Sequence, residues 1–275
     1  MKFAELNGEV EVRATWIGAL VALSALPLTA ATTVAEPVPV ERQSPYWAAP
    51  GYWDRRHAEK IREIAEGPGE YDFVFIGDSI THNWEGWNDP VDVECVAKAY
   101  EQGRLKFPNG PGRKVWKEMK KEFRLLNLGC AGDCTQQVLW RLDQGEMDGY
   151  RTRGVALMIG TNNGESAEEV AEGIKAVVRK ILEKQPEAKV VLMPIFPADP
   201  NPSGPRRSRN AKASELAKSI ADGKRVVWLD FNDAFLAPDG TLSADMMPDY
   251  LHPVEPGYRL WRAAIEPVMR KVLRK

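Results

Sequence analysis

Residues Gly154 to Ile159 read GVALMI, an apolar run with no polar alternation. A strand with one wet face alternates; a strand covered on both faces does not. After a short polar turn, Ser166 to Lys184 places apolar residues at Val170, Ile174, Val177, Val178 and Ile181, the period of a helix lying on one face of a sheet. Ser166 followed by Glu169 is a capping-box start for that helix. The same pairing recurs along the chain. Helical patterns are expected over Arg55–Glu66, Arg113–Glu122, Arg206–Ala221 and Glu255–Leu273. Short strands are expected over Tyr71–Ile76, Phe123–Leu128, Lys189–Met193 and Arg225–Leu229. Such alternation predicts an α/β protein: a three-layer α/β/α sandwich around a mostly parallel sheet of about five strands.

Two stretches stand outside this rhythm. Asn88 to Gly112, which ends in Pro108-Asn109-Gly110-Pro111-Gly112, reads as an inserted loop or short helical excursion of the kind that often shapes substrate access. Trp16 to Leu28 is a sustained apolar run of about thirteen residues, whereas a bilayer span needs roughly twenty. Small residues follow it, and Thr33-Val34-Ala35 has the form of a signal cleavage site. Residues 1–35 are therefore expected to be a signal peptide or an uncleaved N-terminal anchor. The mature chain would be exported, periplasmic or secreted, with no stable membrane span. Glu5, Glu9 and Glu11 are unusual ahead of such a run and point to a translation start nearer Arg13. Residues 36–50 read as a Pro-rich linker and 51–275 as one domain.

Composition matters through what it removes. Lys and Arg number 37 against 39 Asp and Glu, a formal charge of -2, so no basic field exists for gripping nucleic acid. Three cysteines, Cys95, Cys130 and Cys134, leave at least one unpaired within the chain; Cys130 and Cys134 are near enough in sequence for a disulfide to be considered. No CxxC or zinc-like His/Cys spacing occurs, and no metal or cofactor is expected.

In an open parallel sheet, ligands bind beyond the carboxyl ends of the strands. Three blocks stand at such positions, Gly77-Asp78-Ser79-Ile80, Gly129-Cys130-Ala131-Gly132-Asp133 and Gly160-Thr161-Asn162-Asn163, and a fourth, Pro248-Asp249-Tyr250-Leu251-His252-Pro253, stands just ahead of the last helix. Ser79 at a strand-to-helix turn is an exposed hydroxyl candidate. The N–H groups of Ser79 and Gly132 with the Asn162 amide can form an oxyanion hole. Asp249 and His252, in a segment kept non-helical by flanking prolines, can pair so that the imidazole serves Ser79 as base. The plainer readings differ. Ser79 alone would be a helix cap. His82 lines the pocket or packs, and His57 is a solvated helix residue. Asp78 and Asp133 would bond turn backbone. Trp84, Trp87 and Asn163 are candidate substrate-lining residues together with Asp78 and His82, although ordinary packing suits the tryptophans equally. Trp140 reads as core, and Arg206, Arg207 and Arg209 as a solvated helix start.

The four blocks in this order resemble the SGNH/GDSL hydrolase superfamily, and in particular bacterial relatives of the platelet-activating-factor acetylhydrolase catalytic subunit. Val138-Leu139-Trp140-Arg141-Leu142, Gly145-Glu146-Met147-Asp148-Gly149 and Met247-Pro248-Asp249 carry the closer likeness. The resemblance implies Ser79 as nucleophile, His252 as base, Asp249 as its orienting acid, and Gly132 and Asn162 as oxyanion donors. Cys134 after Gly-Asp and the 88–112 insertion depart from the pattern. The expected activity is hydrolysis of small acyl esters, foremost O-acetyl groups on carbohydrate. A lipid-directed acetylhydrolase or lysophospholipase is the second reading, and a non-catalytic carbohydrate-binding module of the same fold is the third.

Overall fold

The continuous apolar runs form the central sheet in a computed structural model that describes residues 33–36 and 48–274. Strands β1 (Glu70–Gly77), β2 (Leu125–Gly129), β3 (Arg151–Met158), β4 (Lys189–Leu192) and β5 (Val226–Trp228) lie in the order β2-β1-β3-β4-β5. Every pairing is parallel. Ahead of β1 runs α1 (Tyr52–Glu66); between the strands run α2 (Ser79–Glu85), α3 (Pro90–Glu101), α4 (Arg113–Met119), α5 (Thr135–Arg141), α6 (Ala167–Lys184) and α7 (Pro205–Ala217); and α8 (Glu255–Leu273) follows β5. The α/β sandwich expected from the sequence is the observed fold.

Period-two geometry sorts the strand side chains between two cores. Val74, Ile76, Leu126, Leu128, Val155 and Leu157 point to the layer holding α5 and α6, where Val170, Ile174, Val177 and Ile181 meet them. Phe73, Phe75, Leu125, Ala156 and Met158 point the other way, onto Trp84, Trp116, Tyr258, Trp261 and Ile265 of α2, α4 and α8. Past the first three residues of β1 and β3 both faces are dry, which is why the apolar runs there are unbroken.

The chain leaves β1 to one side for β2 and returns to its other side for β3. That reversal is the topological switch point at which open sheets form ligand crevices. The register brings the strand ends level, Gly77 lying opposite both Gly129 and Met158. The loops after β1, β2 and β3 therefore emerge side by side.

Some boundaries move for identifiable reasons. α1 starts at Tyr52 rather than Arg55, because Gly51 adopts a left-handed φ of 72° and turns the chain into the helix. α7 stops at Ala217, and Lys218–Ile220 is a separate 3-10 turn. The 88–112 insertion contains a full helix, α3, started by Asp89, whose carboxylate accepts from Val91 N–H at 3.0 Å. The apolar run Trp16–Leu28 and residues 37–47 of the expected linker lie outside the described residues. Thr33–Ala35, read as a cleavage site, forms a 3-10 turn in which Val34 is buried and its carbonyl accepts from Thr135 Oγ1 at 2.8 Å. Among the described residues no helix is long and apolar enough to cross a membrane.

Candidate active site

Ser79 begins α2 directly beyond the end of β1. Asp78 caps that helix by accepting Ile80 N–H at 2.9 Å, the turn-backbone role the sequence suggests. The Ser79 hydroxyl donates to His252 Nε2 at 2.8 Å. His252 Nδ1 in turn lies 2.6 Å from Asp249 Oδ2, and the other Asp249 oxygen accepts His252 N–H at 2.8 Å and Leu251 N–H at 3.1 Å. Both carboxylate oxygens are thereby engaged. One selects the tautomer with hydrogen on Nδ1, leaving Nε2 as acceptor; the other fixes the Asp249–His252 turn. Burial alone would raise the Asp249 carboxyl, but these bonds outweigh it and hold it below the usual range. It therefore stays ionised beside the ring.

Gly132 stands in the loop after β2 with φ of 89°, a left-handed conformation that turns the backbone there without a Cβ penalty. Asn162, in the turn after β3, donates its amide to the Asp133 carbonyl at 3.0 Å, which fixes the side-chain orientation. The register thus brings together the turns that carry Ser79, Gly132 and Asn162, with Asp249 and His252 arriving from the segment before α8.

A second layer, which the sequence reading missed, holds these loops. Asp133 does not bond turn backbone as expected. Its fully buried carboxylate accepts from Trp53 Nε1 at 2.8 Å and Arg141 Nε at 2.9 Å. Arg141 also pairs with buried Glu146, which takes His57 Nδ1 at 2.8 Å. His57, expected to be solvated, is therefore part of this network and stacks near Trp53 and Trp140. Tyr52 supports the same loop: its hydroxyl accepts Ala131 N–H at 2.8 Å and lies 3.0 Å from His82 Nδ1. On the far side, Arg209 is no solvated helix residue. It donates to Thr161 O at 2.9 Å and to Asn163 O, while Asn210 Nδ2 donates to Thr161 Oγ1 at 3.0 Å. α7 thus clamps the turn that presents Asn162.

The residues expected to line the substrate are all buried. Trp84 is fully buried against Phe75, Tyr258 and Trp261. Trp87 packs on the rings of Tyr52 and His82 at 4.4 and 4.5 Å. His82 is buried beside the loop after β2. Burial, with help from the Arg56 charge, pushes its pKa well below normal, so it is a neutral packing ring. Asn163 staples the β3 turn to α5, accepting Thr135 N–H at 3.2 Å and donating to Glu165 at 3.1 Å. Asp78 is buried under α2, and burial raises its carboxyl to about 7. All five are buried beside the turns that carry Ser79, Gly132 and Asn162. The considered Cys130–Cys134 disulfide is not formed. Among the described residues no cluster of His, Cys, Asp and Glu is arranged to hold a metal ion.

A parallel α/β sandwich with a serine, an imidazole and a carboxylate linked in line at its switch point is the frame of the α/β acyl hydrolases. The chain belongs to the GDSL-like lipase/acylhydrolase family, whose model matches residues 75–260, and it is a carboxylic ester hydrolase. Among curated proteins, it is 38% identical over 162 residues to platelet-activating factor acetylhydrolase IB subunit alpha1 of Homo sapiens, a match covering 58% of this chain and 70% of that protein. Among solved structures, a GDSL-like lipase from Bacteroides thetaiotaomicron superposes with a TM-score of 0.59 at 16% identity, covering 79% of this chain and 97% of that one. Axe2, an acetylxylan esterase from Geobacillus stearothermophilus, does so at 0.53 and 19% identity, covering 74% and 94%. These structural likenesses establish the shared fold.

Proposed function

We propose that the protein is a serine esterase that removes small acyl groups, foremost acetyl, from O-acetylated carbohydrate. The observation that carries this reading is the Ser79–His252–Asp249 chain, with links of 2.8 and 2.6 Å. Ser79 Oγ attacks the ester carbonyl carbon while its proton passes to His252 Nε2. The resulting oxyanion is met by the Ser79 and Gly132 N–H groups and the Asn162 amide. The carbon–oxygen bond to the alcohol then breaks, His252 returns the proton to the departing oxygen, and an acyl-enzyme on Ser79 remains. Water, deprotonated by the same imidazole, repeats the cycle and frees the acid. Asp249 stays ionised throughout and steadies the imidazolium.

Restriction to a small acyl group is supported by enclosure: Ser79 is 4% and His252 3% exposed. An acetyl preference is supported by what the relatives are named for, an acetylhydrolase and an acetylxylan esterase. Carbohydrate rather than an anionic polymer fits a net charge of -2. Export of the mature domain, read from the Trp16–Leu28 run, is part of this proposal. The second reading, a lipid-directed acetylhydrolase, is favoured by the 38% identity to the platelet-activating factor enzyme subunit.

Acetate release from acetylated xylan, compared with hydrolysis of an acetylated phospholipid and of octanoyl esters, separates these readings. The proposal expects acetyl esters of sugars to be preferred over both. A preference for octanoyl esters would defeat the small-acyl reading, and a preference for the phospholipid would install the second one.

A further inference from the structure

The 88–112 insertion is bolted onto the site rather than hung beside it. Asp92, buried on α3, accepts from Arg55 Nη2 at 2.5 Å and Arg55 Nε at 3.2 Å, and from Ala49 N–H at 3.4 Å, which fixes the insertion to the start of α1. At the insertion's far end, Asn109 exchanges two hydrogen bonds with the Trp87 backbone, at 2.9 and 3.1 Å. Arg113 adds a third link to the Trp87 carbonyl at 2.8 Å. Between these anchors, Val96, Ala99, Leu105 and Phe107 join one apolar cluster with Cys130 and Ala131 of the oxyanion-side loop; Val254, just after the base, packs against it. Phe107 reaches furthest. Its ring is 2% exposed and its centroid lies 5.0 Å from the His252 imidazole.

In the reaction derived above, the departing alcohol takes its proton from His252 Nε2. The alcohol half of the ester must therefore lie on the imidazole side of the scissile bond, with the acyl half directed away from it. A rigid aromatic ring packed on that imidazole borders the alcohol half. We propose that Phe107 is a specificity-determining residue, the wall by which the insertion limits the size of the alcohol that the esterase accepts. This rests on Ser79 and His252 acting as nucleophile and base. It adds that selection on the alcohol side resides in a segment outside the four motif blocks.

The test uses two series of esters on the full-length protein and on Phe107→Ala. One series keeps the acetyl group and varies the alcohol from ethyl to 2-naphthyl. The other keeps the p-nitrophenyl alcohol and lengthens the acyl group from acetyl to octanoyl. Removing a ring from a packed wall is worth about one to two orders of magnitude in discrimination. The kcat/KM ratio of 2-naphthyl over ethyl acetate should therefore rise at least about fivefold in Phe107→Ala. The octanoyl-over-acetyl ratio should stay within about twofold of the wild-type value, and Phe107→Leu should fall between. An equal loss on all esters would overturn the proposal, because Phe107 would then only position His252. A change confined to the acyl series would overturn it as well, and so would unchanged ratios in a folded variant. If Phe107→Ala does not fold, the graded shift in Phe107→Leu decides. Failure of the underlying mechanism is visible separately, as Ser79→Ala hydrolysing acetyl esters at the wild-type rate.

Discussion

Asp78 and Ser79 are neighbours in sequence with opposite situations. Ser79 is tied to His252 by its hydroxyl, whereas Asp78 is fully buried and only its Oδ1 finds a hydrogen-bond partner, Ile80 N–H. Burial lifts the Asp78 carboxyl to about 7, and the Ile80 bond only partly opposes it. In the unfolded chain the same group ionises near pH 4. Between roughly pH 4 and pH 7 the folded state binds a proton that the unfolded state has released, so stability falls as pH rises through this window. The stabilising contribution is fully present below about pH 4 and gone above about pH 7. Asp78→Asn keeps the cap acceptor without the charge. Its Tm relative to wild type should climb between pH 5 and pH 8.5, by the equivalent of a few kcal/mol. A Tm difference independent of pH would contradict this assignment. At this scale the sequence was informative where chemistry is local. Ser79, Gly132 and Asn162 each sit in a short motif after a strand, and Asp249 and His252 in one just ahead of α8. It was silent where support is remote, as in the Tyr52 hydroxyl meeting Ala131 N–H across 79 positions and Arg209 reaching Thr161 across 48. No periodicity encodes such pairs. Tyr52 stands ahead of the helix expected from Arg55, and Arg209 lies in a stretch that reads as a solvated helix start.

The elements position these residues through close approach of backbones. Gly129 ends β2 against the first turn of α2, where a Cβ would stand 2.3 Å from His82 N and 2.7 Å from the Thr81 carbonyl carbon. Those neighbours are main chain and cannot rotate away. Gly129→Ala should therefore separate β2 from α2, costing about 2–4 kcal/mol, and should depress activity with the displaced Ser79 turn. Chemical denaturation alongside ester hydrolysis checks it; unchanged stability would show that the two elements tolerate a wider spacing. The strands and the long helices were readable from the chain because two-sided burial leaves an unbroken apolar run and one-sided burial a 3.6-residue period. The 88–112 insertion was not resolved by either rule. α3 is held by Asp92 to Arg55 and by turn hydrogen bonds at Trp87, with a short apolar stripe, so polar anchoring hid a helix that packing alone would have announced.

Across the whole molecule, one sheet turns four distant motifs into one site. Parallel register sets the ends of β1, β2 and β3 level, and the reversal at β1 opens the crevice into which Ser79, Gly132 and Asn162 project their turns. α8 and the segment before it then close the arrangement from the other core, Tyr258 donating its hydroxyl to the Ile80 carbonyl at 2.7 Å as Asp249 and His252 cross the strand ends. The layer beneath is unusually charged for a protein interior: Asp133, Arg141 and Glu146 are each at most 1% exposed. Such a buried network is sensitive to loss of any member, which ties the loop after β2 to the integrity of α1 and α5. The proposed mechanism places covalent catalysis on Ser79. Mass spectrometry of the protein quenched during turnover of p-nitrophenyl acetate tests that assignment most directly. An acetyl adduct should appear on the peptide carrying Ser79, be absent in Ser79→Ala, and form far more slowly in His252→Ala. An adduct on another residue, or turnover by Ser79→Ala at the wild-type rate, would contradict it.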